Sequence, residues 1–265
     1  MTVRRTSLYN WIVAVVMVLP LVVIIAVSVN PSQYSLFPPE GFSLTWYAAA
    51  FTNLAFVNAL LLSLQIALIS TLVSLALGTS AAFAVRRLRS SGGRVLTAAL
   101  ATTARIVPEV LLGLGLFIYF GNVIPVGLGA PAIVFGHVLI CLPIAFQVVV
   151  SALAQQDRSL QEAAATLGAG PLATFLRVTV PTLAPGLIGA GLLCFVFSFD
   201  NVNISLFLAA PGESPLPIQM YSYLDFRSDP MVAAMSSALV ALGVVIFFVA
   251  NRVGALRFLE NGALR

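Results

Sequence analysis

Asp157-Arg158-Ser159-Leu160-Gln161-Glu162-Ala163-Ala164-Ala165-Thr166-Leu167-Gly168 is a polar island that runs on to Pro181 and lies between two long apolar stretches. Ser159 and Glu162 have the S-x-x-E spacing of a capping box, and Leu160, Ala163, Ala164 and Leu167 recur at i, i+3, i+4 and i+7. Together they predict a short capped helix with one apolar face. Gly168 stops that helix in the left-handed conformation. Pro171 suits the first turn of a second helix, with Leu172, Phe175, Leu176 and Thr179 along one side and Pro181 as its end. Residues 154–181 therefore read as a helix, turn, helix unit.

Its surroundings are lipid. Of the 265 residues 60% are hydrophobic and 8% charged, and the mean hydropathy is +1.05, which excludes a water-soluble domain of this length. A helix needs about 20 apolar residues to cross a bilayer. Six such spans are expected, at roughly 11–29, 59–85, 96–121, 131–153, 182–208 and 231–251, in a single transmembrane domain over residues 1–265. Continuous apolar runs favour helices over a barrel, whose strands would alternate with polar residues. The fold class predicted is all-α. The first span is long for a signal peptide and has no small-x-small cleavage site before Asn30, so it reads as a retained anchor.

Arginine placement orients the spans, because short loops on the cytoplasmic side retain positive charge. Arg4, Arg5, Arg86, Arg87, Arg89, Arg94, Arg158, Arg177, Arg252, Arg257 and Arg265 all fall on one side of a six-span chain. The opposite loops, near 30–58, 122–130 and 209–230, hold only Arg227 with Glu40, Glu213, Asp225 and Asp229. Both termini and the 154–181 unit are expected in the cytoplasm. The net charge of +4 reflects this inside bias and calls for no nucleic acid.

What the chain lacks is equally informative. All 13 basic residues are arginine. Without lysine there is no G-x-x-x-x-G-K-[ST] phosphate loop and no Schiff base, so ATP hydrolysis through a P-loop and covalent pyridoxal or retinal chemistry are excluded. One histidine, His137, and two separated cysteines, Cys141 and Cys194, all in apolar spans, assemble no zinc or haem ligand set. No nucleophile, base and oxyanion constellation stands out, so neither catalysis nor a cofactor is expected.

Glu162-Ala163-Ala164, three residues, Gly168, nine residues, then Val178-Thr179-Val180-Pro181 resembles the EAA loop of integral membrane subunits of binding-protein-dependent ABC importers. The spacing of that family's E-A-A, G and I-x-L-P matches throughout, with Val at both aliphatic positions. Ser43 to Tyr47, Pro108-Glu109-Val110, Ser198-Phe199-Asp200, Leu206-Phe207-Leu208 and Leu216-Pro217-Ile218 extend the likeness, which is nearest to spermidine/putrescine permeases of the PotC kind. Permeases for iron(III), aminoalkylphosphonates, opines and thiamine share the six-helix core. Arg105 stands where such relatives carry an apolar residue.

The resemblance implies a subunit of a bacterial inner membrane importer working by alternating access. Its 154–181 loop would be the coupling helix that docks on a separate dimer of cytoplasmic ABC ATPases, with Glu162, Ala163, Ala164, Gly168, Phe175 and Pro181 as the coupling residues. Further expected partners are a second homologous permease or a second copy of this chain, and a periplasmic or extracellular substrate-binding protein reached through the outward loops. Gly186, Gly189, Ala190 and Gly191, with Gly113 and Gly115, would let helices approach closely, within the subunit or across to the partner. A secondary transporter or channel would account for the spans but leaves 154–181 without a role.

Ionisable residues in spans cost about 2.5–3.5 kcal/mol each and are functional candidates by default. Ser198, Asp200, Asn201, Asn203 and Ser205 interrupt the fifth span, either as a face lining a path for a cationic solute or as hydrogen-bonding glue between helices. Glu109 and Arg105 are four apart and either neutralise each other on one helix face or, if Pro108 kinks the helix, leave Glu109 as a second carboxylate in the path. His137 is a packing residue or a proton relay. Glu162 closes the capping box or faces the ATPase, and Phe175 is an apolar anchor or is buried against the spans.

Overall fold

The computed structural model describes residues 2–88, 91–123 and 127–252. Every regular element among them is helical, which agrees with the all-α expectation. Five helices are long and apolar enough to cross a bilayer: Tyr9–Ser28, Leu54–Arg86, Ala130–Gln155, Pro171–Phe199 and Met231–Phe248. The third expected span differs. It is not one helix over 96–121 but two, α4 (Ser91–Ile106) and α5 (Glu109–Asn122), separated at Val107 and Pro108. Proline has no N–H to continue the ladder and drives the residue before it out of the helical region. At about 21 Å, α5 falls short of the hydrocarbon thickness by itself.

The fifth span differs too. It starts earlier than 182, at Pro171, and stops at Phe199 rather than 208. Asp200 to Val202 break it, and a short helix α10 (Asn203–Leu208) follows. Of the arginines that set the charge bias, Arg89, Arg257 and Arg265 lie outside the described residues, as do the side chains of Arg4, Arg5, Arg87, Arg105 and Arg158.

By packing, the chain divides into two compact units. The first, from Met1–Leu60 and Ile218–Phe247, contains α1 (Thr2–Ser28), α2 (Thr45–Thr52), the start of α3 (Leu54–Arg87), most of α11 (Leu216–Phe226) and most of α12 (Met231–Arg252). Buried Asn30 organises the loop after α1: its Oδ1 accepts from the Ser32 and Glu40 amides at 3.2 and 3.3 Å, and its Nδ2 donates to the Leu36 carbonyl at 3.4 Å. The Tyr47 hydroxyl sits between Ser28 Oγ at 2.7 Å and Ser237 Oγ at 2.6 Å, joining α1, α2 and α12. Phe56 meets the ring of Tyr223 edge-on at 5.2 Å.

The second unit, from Leu61–Pro217 and Phe248–Arg265, holds the rest of α3 and the described helices from α4 to α10 (Asn203–Leu208). Helix α6 (Ala130–Gln155) packs along α9 (Val180–Phe199), and α5 packs against α10. One apolar core joins Ile66, Leu116, Ile133, Ile204 and Leu208, and another Ala82, Phe146, Val149, Leu183 and Ala190. Gly186, Gly189 and Ala190 are buried in α9, as close helix approach requires. Replacing Tyr47 by Phe removes both hydroxyl bridges while each serine keeps a bond to its own helix, so it is expected to cost about 1–2 kcal/mol, read as a lower thermal midpoint in detergent.

Candidate functional site

The polar island folds as α7 (Arg158–Thr166), a turn at Gly168, and a continuous helix from Pro171 into the fifth span. The capping box does not form. Asp157 is the N-cap, and its Oδ1 accepts the Ser159 amide at 2.9 Å. With that amide taken by a cap two residues earlier, the Glu162 carboxylate has no local capping role and stands exposed. Gly168 ends the helix with φ +82°. Its amide bonds to the Ala165 carbonyl, and the Ala169 amide bonds to that of Ala164, the two bonds of a Schellman stop.

The second helix does not end before Pro181. A four-residue turn α8 (Pro171–Thr174) passes into a π-helical turn, Phe175–Thr179, and that into α9, with Pro181 in its first turn. The Val180 amide bonds to the Phe175 carbonyl five residues back. Proline brings no amide for the next rung, and a wide turn accommodates the loss.

The expected apolar face of α7 is divided. Gln161 and Ala164 are half-buried, whereas Leu160 and Ala163 are exposed and Leu167 is 88% exposed. Leu172, at 71% exposed, and Leu176 continue the exposed set. Phe175 is half-exposed and meets the Phe83 ring edge-on at 5.5 Å. A cleft of about 1210 Å³ opens beside it, lined by Phe83 and Arg86 of α3, Gln161, Glu162 and Ala165 of α7, and Phe175.

The polar residues that interrupt the fifth span separate into three fates. Ser198 and Ser205, on either side of the break, turn inward to buried His137, whose Nδ1 lies 2.8 Å from Ser198 Oγ and Nε2 3.0 Å from Ser205 Oγ. An imidazole with one N–H and one lone pair makes one serine the acceptor and the other the donor. Asn201 and Asn203 both donate to Oε2 of Glu109, at 2.8 and 3.1 Å. Asn201 also accepts the Ile204 amide through Oδ1 at 2.9 Å. Asp200 caps the C-terminus of α9 and is exposed, with no hydrogen-bond partner for its carboxylate among the described residues. Ser198 therefore stands apart from Asp200, Asn201 and Asn203.

Glu109 opens α5, where a negative charge suits the positive end of the helix. The break at Pro108 removes the i, i+4 relation to Arg105, which ends up on a different helix. Gly113 brings α5 onto α10: a Cβ there would stand 2.8 Å from Phe207 Cδ2 and 3.1 Å from the Asn203 carbonyl oxygen. Cys141 and Cys194 are buried free thiols, each donating to the other's carbonyl at 3.4 Å. Among the described residues no three His, Cys, Asp or Glu side chains cluster as metal ligands.

Five helices among the described residues that are long and apolar enough to cross a bilayer, one of them interrupted at a carboxylate and two asparagines, define a polytopic helical membrane protein. Residues 74–256 match the family described as binding-protein-dependent transport system inner membrane component, and the chain belongs to that family. It is the permease subunit of an ABC importer, a multi-pass protein of the inner membrane. It is 32% identical to the putrescine transport system permease protein PotI of Escherichia coli (strain K12) over 78% of this chain and 76% of that one. To the spermidine/putrescine transport system permease protein PotC of the same strain it is 27% identical, over 86% and 85%. Its fold is similar to a crystal structure of a bacterial ABC transporter involved in the import of the acidic polysaccharide alginate, with a TM-score of 0.67 at 17% identity, covering 93% of this chain and 94% of that chain.

Sequence reasoning missed the pairing of Glu109 with two asparagines more than 90 residues away, for which no local signal exists. It also missed Gln156, whose amide bonds Arg86, Thr179 and Thr182. The bond from the Ser159 amide holds the Asp157 carboxyl below its ordinary value. The carboxylate form therefore favours the folded cap, and that contribution is present above about pH 4 and lost as pH falls through the lowered value. The protection factors for amide exchange over 158–166 should fall on acidification in the native protein, and an Asp157→Ala variant should show low protection at every pH.

Proposed function

We propose that this permease couples ATP hydrolysis on a separate cytoplasmic ABC ATPase dimer to inward passage of a polyamine, with 154–181 as the coupling unit. The observation that carries the reading is the exposure of Leu160, Ala163, Leu167 and Leu172 on a unit whose spacing is that of an EAA loop. Apolar residues left uncovered together on a polar unit between spans mark a surface for a partner. Glu162, exposed beside them, supplies a charge for a cation on the ATPase; Gly168 sets the turn; Phe175 ties the unit to α3; Pro181 shapes the turn into the fifth span. The arginine bias supports both termini and this unit on the cytoplasmic side.

A second permease, homologous or identical, completes the path, and a soluble binding protein delivers solute from outside. ATP-driven closure of the ATPases moves the coupling helices, and the spans rock to switch the side on which the path opens. The coupling unit must contact the ATPases differently in their two states, or nothing is transmitted.

The polyamine assignment rests on the similarity to putrescine and spermidine permeases and on Asp200. A carboxylate at the C-terminal end of a helix adds to the negative pole of the dipole, and none of the residues in the last turn of α9 is basic. A passing cation would compensate it. Glu109, with Asn201 and Asn203 on one carboxylate oxygen, offers a second negative group with neutral donors alongside. The inside-negative potential favours entry by about 2.3 kcal/mol per charge per 100 mV, and ATP supplies accumulation beyond that.

Leu167→Arg should weaken ATPase binding about 30-fold, as for an apolar anchor at the centre of an interface, with a folded permease by circular dichroism. Unchanged affinity would remove 154–181 as the docking surface. Asp200→Asn in the assembled importer should lower putrescine uptake about tenfold while the complex stays intact, the size of one lost charge contact. Uptake equal to wild type would dismiss Asp200 from the path.

A further inference from the structure

We propose that Gln156 is a clasp that closes the base of the 157–178 loop, so that α7 and the fifth span move together. The proposal rests on 154–181 being the ATPase docking unit. Gln156 follows α6 with an extended backbone, φ −67° and ψ 131°. Both ends of its side-chain amide are engaged. Its Nε2 donates to the Thr179 carbonyl at 3.1 Å and to Thr182 Oγ1 at 2.8 Å, and its Oε1 accepts from Arg86 Nη1 at 3.1 Å. One side chain thus ties the end of α3 and the outgoing strand of the loop to its returning strand.

The returning strand needs such a tie. Between α7 and α9 the helix widens into the π-turn, and Pro181 removes a rung of the ladder just beyond it. A turn of that kind is where a helix bends most readily. Thr179, its last residue, is buried, and its hydroxyl accepts from Gln161 Nε2 of α7 at 3.3 Å. The Thr182 hydroxyl donates to the Val178 carbonyl at 2.8 Å. These bonds run parallel to the weakened ladder and cross-link it to α6 and α7. With them the loop is a stiff lever; without them, a push on α7 is absorbed by bending at Phe175–Thr179.

The test uses the complete importer, with ATPases, permeases and binding protein, reconstituted in liposomes, and measures uptake and ATP hydrolysis in the same vesicles. Gln156→Leu keeps the volume and removes all three bonds. Solute carried per ATP should fall about tenfold, within the range of ordinary coupling energies, while stimulated hydrolysis and co-purification of the ATPase persist. Gln156→Glu, which keeps the acceptor for Arg86 and loses the two donors, should give a smaller fall in the same ratio. A ratio unchanged in both variants overturns the clasp. So does a proportional loss of hydrolysis and uptake, which would make Gln156 a residue needed for docking. An Ala163→Cys cross-link to the ATPase separates the two readings: its formation with an unchanged ratio rejects the clasp alone, and its absence rejects the docking unit and the clasp with it.

Discussion

A backbone that stops being helical inside hydrocarbon must find other partners for its amides and carbonyls, and this constraint governs the arrangement around Asp200 to Val202. The break is met from three sides. Asn201 takes the Ile204 amide, the Val202 carbonyl takes the Leu206 amide at 2.8 Å, and His137 holds the serines before and after the gap. The same event that interrupts the helix turns Asn201 and Asn203 toward Glu109. The polar side chains of the fifth span thus largely keep a broken helix satisfied, and Asp200 alone among them has no side-chain hydrogen bond among the described residues.

The second apolar interruption obeys the same logic with a different residue. Pro108 ends α4 and lets α5 begin with Glu109 at its N-terminus, where the helix dipole helps to hold the charge. Gly113 then allows α5 to lie directly on the backbone of α10. The break at Pro108 and the break at Asp200 to Val202 lie at a contact between α5 and α10 with no room for a methyl group. Pro181 produces a third irregularity, milder because the helix continues through a π-turn. At the fifth-span break the repair is local, through Asn201 and the Ile204 amide, whereas at the π-turn Gln156 reaches the Thr179 carbonyl from the end of α6.

Much of this chain is legible before folding. Hydropathy located the membrane segments because lipid imposes a length and a composition on each helix independently of its neighbours. Gly168 announced its positive φ because only a residue without Cβ sits there cheaply. The EAA spacing pointed to the family to which the chain belongs. The errors were local competitions. Asp157 and Ser159 are both good caps, and the earlier one wins, giving α7 its first turn and freeing Glu162. Pro181 looked like an end, but a proline in the first turn of a helix costs no rung that a π-turn cannot absorb.

Sequence by itself determined that this is a helical membrane protein with an ordered polar unit between its spans, because solvent transfer and capping act on neighbours along the chain. Tertiary structure alone decided that Glu109 belongs with Asn201 and Asn203, that His137 bridges two serines, and that the Gln156 amide joins Arg86, Thr179 and Thr182. Hydrogen bonds across 60 to 90 residues depend on which helices pack together, and that choice is made by side-chain shape at contacts that no window along the chain contains.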